Sequence, residues 1–269
     1  MKTLTFIQFL LIGVISAGMM AACSSDEAPQ PDVQPESEAG PTTTSTRATS
    51  ASEANILTPQ EEEEGWILLF DGETTEGWRG YNKDSFPGAW TVEDGALKFN
   101  GDSSEEGGDI LYDEMFGDFH LKLEWKISKG GNSGIFYLAQ EIENTPIWQS
   151  APEFQILDNE NHPDADRGRD DNRKSASLYD LIPADPQNSN PFGEWNQAEI
   201  LVHRGTVVHF QNGEAVLEYE IGTEEWNEMV ANSKFAEMEE FATNETGYIA
   251  LQDHSDDVWF RNIKLKKLN

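Results

Sequence analysis

Phe119-His120-Leu121-Lys122-Leu123-Glu124-Trp125-Lys126-Ile127 is the stretch that decides the fold class. Its odd positions are apolar and its even positions polar, the period of a strand with one face in a core and the other in water. Similar short runs occur at Trp66 to Phe70, Ala89 to Val92, Ala96 to Phe99, Gly134 to Leu138, Trp195 to His203, Thr206 to Phe210, Ala215 to Ile221, Gly247 to Gln252 and Val258 to Leu268. Between them, Glu93-Asp94-Gly95 and Gln211-Asn212-Gly213 read as hairpin turns, because Asn, Asp and Gly tolerate positive φ. Glu224 to Phe241 departs from this pattern. It spaces Trp226, Met229, Val230 and Phe235 for a single helix or a pair of turns, with acids near its start. These features predict an all-β sandwich of two antiparallel sheets with one short helical insertion.

The N-terminus reads as an export signal. Lys2 is a positive start, Leu4 to Met20 is apolar, and Ala21-Ala22 lead into Cys23. The pattern resembles a bacterial lipoprotein signal over residues 1–22, with Cys23 lipidated after cleavage. Cys23 is the only cysteine, so a core without disulfides must stabilise the domain. No later run is long and apolar enough to span a bilayer, which leaves lipid as the membrane attachment. Residues 23–64 carry Pro29, Pro31, Pro35, Pro41, a Thr-rich run and the acidic block Glu61 to Glu64, the composition of a disordered tether. The expected location is the outer membrane of a Gram-negative cell, on its periplasmic face or at the cell surface.

The remaining residues, 65–269, suit one large β domain. They hold 40 acidic and 16 basic residues, a net charge of −24. So acidic a surface argues against nucleic acid and anionic substrates and favours neutral ligands or cations, although it also serves solubility.

Glu153-Phe154-Gln155-Ile156-Leu157-Asp158 points Glu153 and Gln155 to one face and Phe154 and Ile156 to the other. A carboxylate beside an amide on an open sheet face is a candidate site. Gly130-Gly131-Asn132-Ser133-Gly134 upstream and Leu251-Gln252-Asp253-His254 downstream are its expected neighbours. Plain alternatives stand beside each: His254 as a turn cap, Asn132 and Gly134 as turn and packing residues, Asp158 in an Asx-turn. Glu124 on the long strand is expected to line a groove. Tyr179, Trp148 and Trp195 offer faces for sugar stacking, and the Asp164 to Arg173 cluster with Lys174 reads as a solvated loop, a candidate lid.

Gly65-Trp66-Ile67-Leu68-Leu69-Phe70-Asp71-Gly72, Gly77-Trp78, Trp90 to Gly95, Gly130 to Phe136, Glu153 to Asp158, Leu178-Tyr179-Asp180, Gly193 to Asn196, Leu251 to His254 and Phe260 to Ile263 together resemble the 3-keto-disaccharide hydrolase family. The resemblance implies a concanavalin-like jelly roll with a ligand groove, related to lectins and laminarinase-type glucanases. Those glucanases carry catalytic acids on the matching strand, whereas here Gln155 replaces the middle one. An ordinary retaining mechanism, which needs two carboxyls about 5 to 5.5 Å apart, is therefore in doubt.

The chemistry implied by the resemblance is different. In a sugar oxidised at C3, the ketone acidifies the C2 hydrogen, so a base removes it, the aglycone leaves from C1 and water adds back. Glu153 and His254 are the expected base and acid, in an order left open, with Gln155, Asn132, Asp158, Glu124 and Tyr179 for the sugar. A divalent metal (Ca²⁺, Mg²⁺ or Mn²⁺) on some of Glu153, Gln155, Asp253 and His254 would serve the enolate equally well. A carbohydrate-binding lectin-like module without turnover is the alternative, because fold alone does not fix function.

Overall fold

The computed structural model describes residues 54–268; the signal segment, Cys23 and the tether as far as residue 53 lie outside them. In chain order the strands are β1 (Trp66–Leu68), β2 (Trp78–Gly80), β3 (Trp90–Glu93), β4 (Ala96–Phe99), β5 (Ile110–Phe116), β6 (Phe119–Ile127), β7 (Asn132–Ala139), β8 (Glu153–Leu157), β9 (Asn196–His203), β10 (Thr206–Gln211), β11 (Glu214–Glu220), β12 (Gly247–Leu251) and β13 (Val258–Lys267). Two helices, α1 (Pro59–Glu63) and α2 (Glu224–Ala231), complete the regular elements apart from short 3-10 turns.

The strands form two antiparallel sheets, as the alternating periodicity predicts. The larger runs β11-β10-β9-β6-β13-β4-β3 with β1 also paired to β13, and the smaller runs β2-β5-β12-β7-β8. The odd residues of β6 are buried on the inner face, with Phe119 and Trp125 at 0% exposure. Ile135 and Tyr137 of β7, Phe154 and Ile156 of β8 and Ile249 and Leu251 of β12 belong to the same core from the other sheet. Both predicted hairpins adopt positive φ at their two central residues, 52° and 74° at Asp94-Gly95 and 50° and 83° at Asn212-Gly213. This is the conformation that matches the twist of the flanking strands.

The outward face of the smaller sheet is divided. Toward one end a second apolar cluster, Leu111, Phe136, Ala139, Ile147, Ala151 and Ala250, is roofed by the segment after β7. Toward the other end the face stays open, because Asn132, Gly134, Glu153 and Gln155 occupy the equivalent outward positions of β7 and β8. The sheet thus places a polar floor beside an apolar plug.

One expectation needs correction, the helical insertion takes a definite extent, and two strands escape the sequence pattern. The tether does not reach Glu64. Ala54 and Asn55 are buried, and α1 is closed by a Thr58–Glu61 capping box and tied down by an ion pair from Lys264 to Glu61. The acidic block that reads as solvated tether is therefore matched to basic residues of β13. The helical insertion ends at Ala231, and residues up to Phe241 continue as turns. Its C-cap Asn232 already donates back to Glu228, Met229 and Val230. Strands β2 and β5 were not evident in the sequence, since Asp113, Glu114 and Met115 are exposed in succession and break the alternation.

Asn55 and Asn262 hold the N-terminal segment in place. The Asn262 amide N–H donates to Asn55 Oδ1 at 2.7 Å, the Asn55 N–H returns to Asn262 Oδ1 at 2.5 Å, and Asn55 Nδ2 donates to the Gly95 carbonyl at 2.8 Å. Asn55→Ala should lower stability by about 1 to 3 kcal/mol, the cost of leaving such groups unpaired, read as a lower urea midpoint with an unchanged m-value. A change below a few tenths of a kcal/mol would mean that residues 54–64 are an ornament of the domain.

Candidate active site

Four adjacent strands supply the floor of one cleft. Asp109 immediately precedes β5, Gln252 immediately follows β12, Asn132 opens β7 and Glu153 opens β8. Gln252 N–H donates to the Gly134 carbonyl at 3.0 Å and Asp253 N–H to Asp109 Oδ1 at 2.9 Å, so one backbone bond and one bond to the Asp109 carboxylate fix these strand ends against each other. Pro146 and Trp148, Tyr179, Lys234 and Met238, and Asp253 and His254 rise around the floor and enclose about 480 Å³.

Glu153 is the most unusual group. It is only 7% exposed, and among the described residues its carboxyl has no hydrogen-bond partner. It leans over Gly134, its diagonal neighbour across the β7–β8 ladder, where an added Cβ would collide with the carboxyl and come within 2.9 Å of its Cδ. The glycine is needed for this close approach. Burial, then the nearby Asp109 and Asp164 carboxyls, push the Glu153 carboxyl up to about 8 against the pull of Lys234. Burial likewise raises Asp109 to about 7, with the Asp253 charge adding to the rise. Two neighbouring carboxyls displaced into the neutral range are the usual property of groups that exchange protons in a reaction.

Around this pair lie unused hydrogen-bond acceptors. Asn132 Oδ1 and Gln252 Oε1 are buried without a donor. A ligand with several hydroxyl donors would fill both. Asn132 Nδ2 approaches His254 Nε2 at 3.4 Å, and His254 itself is exposed at the rim. Tyr179 donates to Asp164 Oδ2 at 3.0 Å, and Asp164 also accepts from Arg173 at 2.9 Å, which fixes the tyrosine ring as a wall.

Of the residues expected from sequence, Glu153, Gln155, Asn132, Tyr179, Asp253 and His254 do line one cleft, together with Trp148. Others do not. Asp158 spends its carboxylate on Gly130 N–H at 2.7 Å, Asn161 Nδ2 at 2.8 Å and Glu160 N–H at 3.2 Å, the Asx-turn alternative. Glu124 lies on the larger sheet, paired with Arg261 at 2.7 Å, and Trp195 packs under the same guanidinium at 4.0 Å. Periodicity placed Glu124 outward correctly, but it carries no information about which sheet. The Asp164 to Arg173 segment is solvated over Asp166, Arg167, Arg169, Asp170 and Asp171, which are exposed, whereas Asp164 and Asn172 are buried at 7% and 2% and anchor it to the domain. Asp109, Lys234 and Gln252 were missed as site residues.

The proposed metal ligands do not assemble. Among the described residues no group of three or more His, Cys, Asp or Glu side chains is placed to hold an ion. Asp253 accepts from Gly108 N–H at 2.7 Å and Ser255 N–H at 2.8 Å, while Gln155 Oε1 accepts from Ile156 N–H at 3.0 Å. Three of the four expected donors are thus otherwise engaged or, like His254, held apart at the rim.

Residues 65–266 match the family model described as 3-keto-alpha-glucoside-1,2-lyase-like domain. A 3-keto-disaccharide hydrolase of Bacteroides thetaiotaomicron is 46% identical over 95% of this chain and 96% of its own length. Among solved structures, a Parabacteroides distasonis protein provisionally described as a glycosyl hydrolase superposes with a TM-score of 0.74 at 32% identity, covering 80% of this chain and 100% of that one. A second from the same organism, likewise described, gives 0.54 at 26% identity over 76% of this chain and 84% of that one.

The raised Glu153 carboxyl has a measurable effect on folding. Its value lies above that of an unfolded glutamate, so its favourable contribution is complete below about pH 4.5 and is lost as pH rises toward 8. Glu153→Gln should therefore gain stability relative to wild type between pH 5 and pH 9, by more than about 1 kcal/mol, since each tenfold difference in proton affinity between the folded and unfolded chain is worth about 1.4 kcal/mol. Parallel stability curves for the two proteins over that range would place the carboxyl in water.

Proposed function

Since this chain belongs to the 3-keto-alpha-glucoside-1,2-lyase-like family, we propose that it cleaves the glycosidic bond of 3-keto-glycosides by elimination followed by hydration. The observation that carries the mechanism is the pair Asp109 and Glu153, raised to about 7 and about 8 in one cleft. Asp109, whose Oδ1 accepts the Asp253 N–H at 2.9 Å, is the ionised base, and Glu153, which burial drives toward its neutral form, is the protonated acid. Asp109 takes the proton from C2, the electron pair of that C–H bond forms a C2–C3 double bond, and the carbonyl π pair moves onto the ketone oxygen as an enolate. As this charge returns, a C1–C2 double bond forms and the C1–O bond breaks. Glu153 protonates the departing aglycone oxygen. Water then adds its oxygen at C1 and a proton returns to C2, so the net change is hydrolysis.

Asn132 and Gln252 serve sugar hydroxyls through the acceptors that have no protein donor. Trp148 and Tyr179 provide stacking walls. His254 is assigned to sugar binding rather than to the acid role, because it stands at the rim. A pure binding module would use the amide acceptors and the aromatics equally well. It would gain nothing from two carboxyls held partly protonated at the cost of burial.

In the same reading the enzyme is an exported lipoprotein joined to a membrane through Cys23. Radiolabelled palmitate incorporated into wild type and not into Cys23→Ser tests this part, and equal labelling of the two would reject it.

The reaction is tested with a 3-keto-α-glucoside in D₂O. Wild type should release 3-keto-glucose carrying deuterium at C2 and leave the unoxidised glucoside intact, and Asp109→Asn or Glu153→Gln should lower kcat at least 100-fold. Activity requires Asp109 ionised and Glu153 protonated, so kcat/KM should peak between about pH 7 and 8 and fall on both sides. Release from the unoxidised glucoside without deuterium at C2 would instead indicate displacement at C1.

A further inference from the structure

The cleft holds a cation that the carboxyl chemistry does not use. Lys234 follows α2, and its ammonium lies 4.0 Å from the ring centre of Tyr179, 4.9 Å from that of Phe235 and 5.5 Å from that of Trp148. The carboxylates of Asp164 and Asp180 are the obvious partners for it. Both are taken by Arg173, at 2.9 and 2.6 Å. Among the described residues no carboxylate lies within ion-pair distance of Lys234, in a chain of net charge −32. Its field is nevertheless felt at Glu153, where it is the strongest charge opposing the effect of burial.

The lysine is also held from behind. Phe235 stacks on Phe241 at 4.0 Å, Phe241 on Trp226 at 6.2 Å and Trp226 on Tyr219 at 5.1 Å. Tyr219 hydroxyl meets Tyr137 hydroxyl at 2.6 Å in the sandwich core. A flexible side chain is thereby mounted on a turn that the core fixes. Lys234 is exposed at the cleft edge, and its ammonium, flanked by these aromatic faces and without a carboxylate at ion-pair distance, is prepared for negative charge on a ligand in the cleft.

We infer that Lys234 is the catalytic residue that receives the negative charge on the C3 oxygen when the C2 proton is removed. This rests on the elimination reading above, in which that oxygen is the first atom of the sugar to become anionic. Neutral glycosides bring no charge of their own to the cleft. The lysine therefore meets its partner only as the reaction proceeds, and its contribution falls on kcat rather than on binding.

The experiment uses the full chain with Lys234→Met, Lys234→Arg and Lys234→Ala and the neutral substrate 4-nitrophenyl 3-keto-α-glucoside in D₂O. It follows C2 deuteration by NMR and nitrophenol release by absorbance. Lys234→Met should lose 100-fold or more in kcat for both processes with KM within about 3-fold, the size of effect seen when one oxyanion donor is removed. Arginine should restore part of the loss, and millimolar ethylammonium should partly rescue Lys234→Ala. A merely structural lysine would show no amine rescue. Turnover of Lys234→Met within 3-fold of wild type, or a change confined to KM, overturns the inference while the reaction stands. Wild type that neither deuterates nor releases removes the elimination reading and this assignment together.

Discussion

A missing Cβ at position 134 is the constraint on which the site depends. Diagonal neighbours on one face of an antiparallel pair are still within reach of a long side chain, so such a side chain cannot lie flat across its neighbour unless that neighbour is small. Gly134 lets Glu153 lean from β8 over β7, where a Cβ would collide with it. In that position the carboxyl loses water without gaining a protein donor, and its proton affinity rises to about 8. Its proximity to Asp109 then follows from sheet order. Strands β7, β12 and β5 are successive neighbours, and Asp109 is tied to the end of β12 by the Asp253 N–H at 2.9 Å.

The layer beneath keeps this arrangement rigid. Tyr137, on the inward face of β7 just below the outward site residues, bonds His209 at 2.8 Å and Tyr219 at 2.6 Å, and His209 Nδ1 meets the Ala176 carbonyl at 2.9 Å. Burial lowers His209 to about 4, so it stays neutral, donating from Nδ1 and accepting the tyrosine hydroxyl at Nε2. Each of these side-chain polar atoms has a partner, which is the condition under which a buried network specifies one packing instead of weakening it. Ala176 in turn donates its N–H to the Gln155 carbonyl at 2.8 Å, which links the network to the strand that carries Glu153.

What could be read from sequence was what repeats or alternates. The outward direction of Glu153 and Gln155 follows from period two, and the larger sheet is visible in the odd residues of β6. Asp109 and Gln252 lie one residue outside their strands, where alternation has ended, and Lys234 follows a helix whose stop had no Gly or Pro to mark it. Gly107-Gly108 beside Asp109 was the one available signal of close backbone approach. Glu124 illustrates the converse limit. Its parity was right, yet pairing with Arg261 across β6 and β13 is a tertiary fact that no local pattern contains.

Displacement at C1 by a pair of acids on one strand is disfavoured by how this strand has spent its side chains. Of Glu153, Gln155 and Asp158, the second is an amide bonded to backbone on both its atoms, and the third closes the loop that follows. The second carboxyl of the cleft comes instead from the start of β5, three ladders away, with strands about 4.8 Å apart. Glu153 leans over β7 and Asp109 is held at the end of β12, so strands that are not paired with each other bring both carboxyls to one cleft. Such a cleft, about 480 Å³ in volume, has room for a sugar ring between the two carboxyls. Under the proposed elimination, proton removal at C2 and proton delivery at the C1 oxygen occur at neighbouring carbons of one ring and are joined by its own electrons. On the proposed elimination reading, an acidic C2 hydrogen, and hence a ketone at C3, is what such a cleft would need from its substrate.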